Sequence, residues 1–220
     1  MDLFRSRTFD MEISQYIDPY IVSARNTAAA DFLESKCTHL MFIDADILFL
    51  AAHVEKLLSH NEAIVGGLYP KKCEGPLKWV CNALPHRPPI DERGLLSLRH
   101  IGTGFMLIER RVFQSMMAWR GYELRYYEDE IDRPLWNFFN MPLVKDDKGK
   151  PRLVSEDWNF CNRVRELGFT VYADTHVILK HIGTAVFPLK TQVKESQREE
   201  VTLRKFFHEG QMKTHNLGSS

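Results

Sequence analysis

The stretch Thr38-His39-Leu40-Met41-Phe42-Ile43-Asp44-Ala45-Asp46-Ile47-Leu48-Phe49 sets an apolar run directly before two carboxylates one residue apart. Leu40 to Ile43 reads as a short buried strand, and the end of such a strand in an α/β sheet opens into the ligand crevice. Two unpaired aspartates in that setting would cost several kcal/mol, on the order of the price of a desolvated charge, so a partner cation accounts for them. Hard oxygen ligands suit Mg²⁺ or Mn²⁺, which bind through one or two carboxylates together with substrate phosphates. The competing explanation is local: either Asp could be the N-cap of a helix that begins near Leu50 to Glu55.

Working outward, strands and helices alternate. Phe9 to Ile13 is a short strand candidate. Ser23 to Ser35 carries Ala28, Ala29, Phe32 and Leu33 at helical spacing behind a Ser23 cap. Val54, Leu57 and Leu58 mark one face of a helix, and Ala63 to Leu68 reads as a second buried strand. This order implies a parallel sheet covered by helices. The segment from Tyr69 to Gly94 is rich in Pro, Lys, Gly and Arg, which predicts a long functional loop. Leu95 to Leu98 and Ile101 to Ile108 predict strands around Gly102-Thr103-Gly104, where glycine lets a backbone or a ligand approach closely, or where a bulge sits. Arg111 to Trp119 predicts a helix, and Asp146 to Lys150 a hairpin tip. Ser155 then has the character of an N-cap, with Glu156 and Asp157 in the first turn of a helix ending at Gly168.

Glu156 and Asp157 are the second chemical candidate, either as a carboxylate base at the crevice or as acids that complement the helix dipole. His181 is the third. It follows the apolar run Val177-Ile178-Leu179 beside Lys180, where a strand-end histidine could reach a metal.

The 220 residues carry 29 Lys+Arg and 29 Asp+Glu, so no basic field points to nucleic acid. No apolar run approaches a membrane span, and Met1 to Arg7 lacks the apolar stretch of a signal peptide, so the expectation is a soluble, cytoplasmic chain. Cys37, Cys73, Cys81 and Cys161 have no C-x-x-C spacing and read as reduced thiols. The charged segment Lys190 to Glu209 predicts a surface helix or linker ahead of a frayed tail, with further domains possible C-terminally.

Taken in order, Asp44-Ala45-Asp46, Gly102-Thr103-Gly104-Phe105-Met106-Leu107-Ile108, Ser155-Glu156-Asp157-Trp158-Asn159-Phe160-Cys161 and His181-Ile182-Gly183-Thr184 resemble the GT-A glycosyltransferases. The resemblance covers about Tyr20 to Pro188 and is greatest to the enzymes that chlorella viruses encode for capsid glycans. It implies a GT-A-like, Rossmann-like single domain over residues 1–190, with a mixed, mostly parallel sheet flanked by helices. Residues 1–80 would form the nucleotide and metal half, residues 81–190 the acceptor half, and residues 191–220 the helix or linker and tail. It further implies transfer of a hexose or deoxyhexose from a UDP-sugar, with Mn²⁺ or Mg²⁺, to a glycan or glycoprotein acceptor, in the host cytoplasm if the protein is viral. Asp44 and Asp46 take the DxD position, His181 the C-terminal metal-ligand position and Asp157 the acceptor-facing acid, with Glu156 as its alternative. Arg25 and Asn26 lie where such enzymes approach the nucleotide, and Ala45, Gly102, Thr103 and Gly104 join the donor-binding set. One departure stands out: only about twenty residues precede Arg25, so the strand and helix that usually open a GT-A domain are shortened here or lie upstream.

Physically, cleaving a sugar–phosphate bond needs stabilisation of negative charge on the leaving diphosphate. A metal held by Asp44, Asp46 and His181 would supply it, with Lys71, Lys72 or Lys180 adding charge. Asp157 would take the acceptor proton. Trp79, Trp136 and Trp158 are candidate stacking platforms for sugars. A metal-dependent phosphohydrolase and a non-catalytic carbohydrate-binding module are the competing classes.

Overall fold

A computed structural model describes residues 9–73, 76–129 and 131–183. The expected C-terminal helix and tail lie outside them. The elements run α1 (Ile21–Glu34), β1 (His39–Ile43), β2 (Ile47–Leu48), α2 (Ala51–Ser59), β3 (Ile64–Leu68), β4 (Cys81–Ala83), β5 (Leu95–Ile101) and β6 (Phe105–Glu109). They continue with α3 (Arg110–Leu124), β7 (Arg125–Glu128), β8 (Ile131–Trp136), β9 (Leu143–Lys145), β10 (Pro151–Leu153), α4 (Glu156–Glu166), β11 (Val171–Ile178) and β12 (Lys180–His181).

Six strands form the central sheet in the order β1-β6-β3-β11-β5-β4. Alternation along each strand decides which layer a side chain joins. Ile64, Met106 and Ile108 pack with Ala28 and Phe32 of α1, Phe113 of α3 and Phe160 of α4. Val65, Phe105 and Leu107 point the other way, onto Val54 and Leu57 of α2. Helices therefore cover both faces of a mixed α/β sheet, and β3 at its centre is buried along its whole length.

The expectation of a mostly parallel sheet is corrected. Among the described residues only β3 and β11 pair in parallel, while β1–β6, β6–β3, β11–β5 and β5–β4 are antiparallel. The reason is that β6 inserts between β1 and β3. Strand-helix-strand order along the chain does not reveal such an insertion. Three local expectations also change. Residues 9–13 form no strand, the long segment after Tyr69 contains β4, and α1 begins at Ile21 with Tyr20 as its N-cap, which puts Ser23 inside the first turn. The hairpin tip at Asp146 to Lys150 is present between β9 and β10. No helix among the described residues is long and apolar enough to cross a membrane.

Candidate functional site

β1 ends at Ile43, and the chain turns at once: the Asp44 N–H donates to the Gly104 carbonyl (2.9 Å) and the Ile47 N–H donates to the Asp44 carbonyl (3.0 Å). α2 starts only at Ala51, behind Leu50 as N-cap. Neither Asp44 nor Asp46 caps it, so the local explanation for the two acids is removed. Ala45 is exposed at the tip of the turn.

The short pair β2–β12 brings the far end of the chain to this turn, with His181 opposite Ile47 and the Ile182 N–H donating to the Asp46 carbonyl (2.7 Å). His181 Nε2 then lies 3.4 Å from Asp46 Oδ2. Its other ring nitrogen, Nδ1, donates to the Pro70 carbonyl at 2.9 Å. A carbonyl can only accept, so Nδ1 carries a proton and Nε2 offers the Asp46 carboxylate either a lone pair or a second proton. A neutral His181 would turn a lone pair toward the carboxylate, an arrangement that a cation can bridge, whereas a protonated one would pair with Asp46 directly. Lys72 also hydrogen-bonds Asp46 Oδ2. Burial by itself would raise the Asp46 pKa, but the Lys72 hydrogen bond and the charges of His181 and Lys72 outweigh it and hold the carboxyl below its usual range.

Arg25 approaches from α1. Its guanidinium is nearly buried, 3.4 Å from Asp44 Oδ1 and 3.5 Å from Glu156 Oε1, and it packs over the Phe42 ring. These contacts are long for a charge pair, and the Arg25 Nε–H has no hydrogen-bond partner among the described residues. Glu156 is pushed above its ordinary pKa by burial first and by the neighbouring Asp157 charge second, with Arg25 opposing both. Asp157 is held differently. Its Oδ1 accepts from the Ser155 hydroxyl and from the Trp158 N–H (2.7 Å), which leaves Oδ2 unused by those bonds. The two acids sit in the first turn of α4 as expected.

The glycine turn has a role that its spacing alone did not reveal. Gly102, Thr103 and Gly104 are all buried. The Tyr69 hydroxyl accepts the Gly104 N–H at 3.0 Å. A Cβ at Gly104 would lie 2.6 Å from that hydroxyl and 2.8 Å from Asp44 Oδ2, and one at Gly102 would lie 2.3 Å from the hydroxyl. The glycines therefore make room for Tyr69 and Asp44 and support the site from behind. Tyr69 also meets the His181 ring edge-on at 5.3 Å. Tyr69 and Pro70 are the residues that sequence reasoning missed, because the Pro-, Lys- and Gly-rich segment they open carries no chemical signature at either position.

The remaining expected residues divide. Lys72 joins the cluster, Lys71 sits 6.0 Å from the Trp158 ring, and Lys180 is exposed on β12. Asn26 faces away, with its amide bonded to Phe139 and Asn137. Trp79 is buried in the core and Trp136 stacks on Phe138. Trp158, half-buried beside Asp157, stacks on His100 (5.0 Å, 4° between planes). Among the described residues no three His, Cys, Asp or Glu side chains group closely enough to hold a metal by themselves.

No family model and no curated protein matches the chain. Among solved structures it is similar to A197 from STIV, with 18% identity, a TM-score of 0.46 and coverage of 81% of this chain and 80% of that one.

Proposed function

We propose that the protein is a metal-dependent glycosyltransferase that moves a sugar from a nucleoside diphosphate, in the first place a UDP-sugar, to a glycan acceptor. The observation that carries this reading is the Asp46–His181 pair, in which the Pro70 carbonyl fixes the histidine so that Nε2 faces a carboxylate oxygen 3.4 Å away. One imidazole and one or two carboxylates suit Mn²⁺ or Mg²⁺ when a diphosphate supplies further oxygens. Asp46, His181 and the neighbouring Asp44 would hold the ion. When bound, it would offset negative charge on the departing diphosphate.

The chain's own side chains supply the rest. Lys72, released from Asp46, is the cation within reach of a phosphate, and Arg25 beside Asp44 offers a second. Both positive groups now rest on acids that would turn to the ion or the substrate when the donor binds. Glu156 adds a negative charge beside Arg25. Asp157, with one oxygen anchored by Ser155, has the other available to accept the acceptor hydroxyl proton.

The test is product formation. Purified protein with Mn²⁺, a panel of UDP-hexoses and UDP-deoxyhexoses, and an oligosaccharide acceptor mixture is expected to yield an acceptor heavier by one sugar residue. Release of free sugar with no acceptor product would instead favour nucleotide-sugar hydrolysis.

A further inference from the structure

An open groove of about 530 Å³ lies between the start of α1 and the β7–β8 ribbon. Its chemistry differs from that of the Asp46 centre. Tyr20 and Tyr126 contribute aromatic rings, Asn26 and Asn137 amides, and Asp18 and Glu128 carboxylates, while no Lys, Arg or His lines it among the described residues. A nucleoside diphosphate entering here would meet two carboxylates and no compensating cation.

The polar wall is built in advance. The Asn26 amide, 1% exposed, donates to the Phe139 carbonyl (3.0 Å) and to Asn137 Oδ1 (3.3 Å), and accepts the Phe139 N–H (2.9 Å). Asn137 thereby commits its oxygen and keeps its NH₂ as a donor. The Tyr126 hydroxyl lies near Asn26 and Glu128; burial first, then the Glu128 charge, pushes it up to about 12, so it remains a phenol. Asp18 accepts the Tyr20 N–H at 2.7 Å and the Ser23 hydroxyl, and the two bonds keep it ionised. Tyr20 leaves 74% of its surface open.

We infer that this groove is a binding site for an uncharged saccharide residue. A sugar ring needs hydroxyl acceptors, one or two donors and a flat apolar face, and the carboxylates, the Asn137 NH₂ and an exposed tyrosine ring supply these. The site shares a turn of α1 with the Asp44 centre, because Arg25 and Asn26 are consecutive. That the occupant is part of the acceptor glycan rests on the transferase reading; that the groove binds a saccharide does not.

The test uses the full chain without donor or metal. Saturation-transfer NMR and calorimetry are run against glucose, galactose, mannose, xylose, fucose, rhamnose, N-acetylglucosamine and their common disaccharides at millimolar concentration. At least one is expected to bind, with affinity lowered about tenfold, equal to about 1.4 kcal/mol, by Tyr20→Ala and by Glu128→Ala, and unchanged by Asp46→Asn. Thermal melts identify any misfolded variant, and either of the two groove variants suffices. Absence of binding by every sugar overturns the inference. So does binding lost in Asp46→Asn but kept in the groove variants, or a groove that takes spermidine and no saccharide. Transfer activity plays no part in the readout, so an inactive transferase leaves the result intact.

Discussion

Asp157 and Glu156 are adjacent in sequence, yet their side chains are held in different ways. Glu156 lies 3.5 Å from Arg25 Nε without a hydrogen bond to it, while Asp157 is anchored through one oxygen by the Ser155 hydroxyl and the Trp158 N–H and keeps the other clear of them. Asp157→Asn is therefore expected to lower transfer by about a hundredfold or more, the scale of a lost general base, with donor affinity and melting temperature nearly unchanged. If the acid served only the dipole of α4, stability would fall by about 0.3–1 kcal/mol with transfer kept. Turnover, UDP affinity and melts on Asp157→Asn and Glu156→Gln separate the two, and a selective loss in Glu156→Gln would move the role to Glu156. At this scale the sequence was readable where a side chain announces its chemistry: Asp44, Asp46, Glu156, Asp157 and His181 all stand near one another. It was unreadable where the working group is a main-chain carbonyl, as at Pro70, or a phenol packed under glycines, as at Tyr69. Asn26 misled because its neighbour Arg25 points to the site and successive helix positions are about 100° apart.

Elements are held in register by contacts that local periodicity does not encode. α1 has no basic residue in its last turn. Arg110, at the start of α3, supplies the missing charge: it donates to the carbonyls of Phe32 (2.8 Å), Leu33 (3.0 Å), Ser35 (3.0 Å) and Cys37 (2.6 Å) and lies over the Phe32 ring. That fork ties the helix carrying Arg25 to the strand β6 that leads into α3. Arg110→Ala is expected to destabilise the fold by about 2–3 kcal/mol through orphaned carbonyls, measured by urea unfolding. Arg110→Lys should recover little, because one ammonium cannot span the fork. A wild-type midpoint in both variants would remove this role. The helices and the strands β1, β3 and β6 were legible from apolar spacing. The two-residue pair β2–β12, which delivers His181, was not, since such short strands carry no period, and the antiparallel insertion of β6 depends on partners forty or more residues away.

For the whole molecule, the layer on which Trp158 stands contains a titratable group kept neutral. His100 is 4% exposed, accepts from Asn82 through Nδ1 (3.1 Å) and donates through Nε2 to Asn162 (2.8 Å). Burial outweighs the Asn162 hydrogen bond and lowers its pKa to about 4. The unfolded chain, with an ordinary histidine near 6.5, binds the proton first as pH falls. The stability that neutral His100 preserves is thus full above about pH 6.5, declines through the window down to about pH 4, and levels off below it, a loss on the order of a few kcal/mol. His100→Gln should flatten the dependence of unfolding free energy on pH across that window, and an unaltered slope would contradict the assignment.

On the proposed reading, the turn after β1, joined by His181, holds a divalent cation and a diphosphate together. Calorimetry of UDP binding with and without Mn²⁺, on wild type and Asp46→Asn, tests it most directly. Mn²⁺ is expected to strengthen UDP binding at least tenfold, about 1.4 kcal/mol, in the wild type and to have little effect in folded Asp46→Asn. UDP affinity that ignores Mn²⁺, or a Mn²⁺ effect that survives Asp46→Asn at full size, would contradict it.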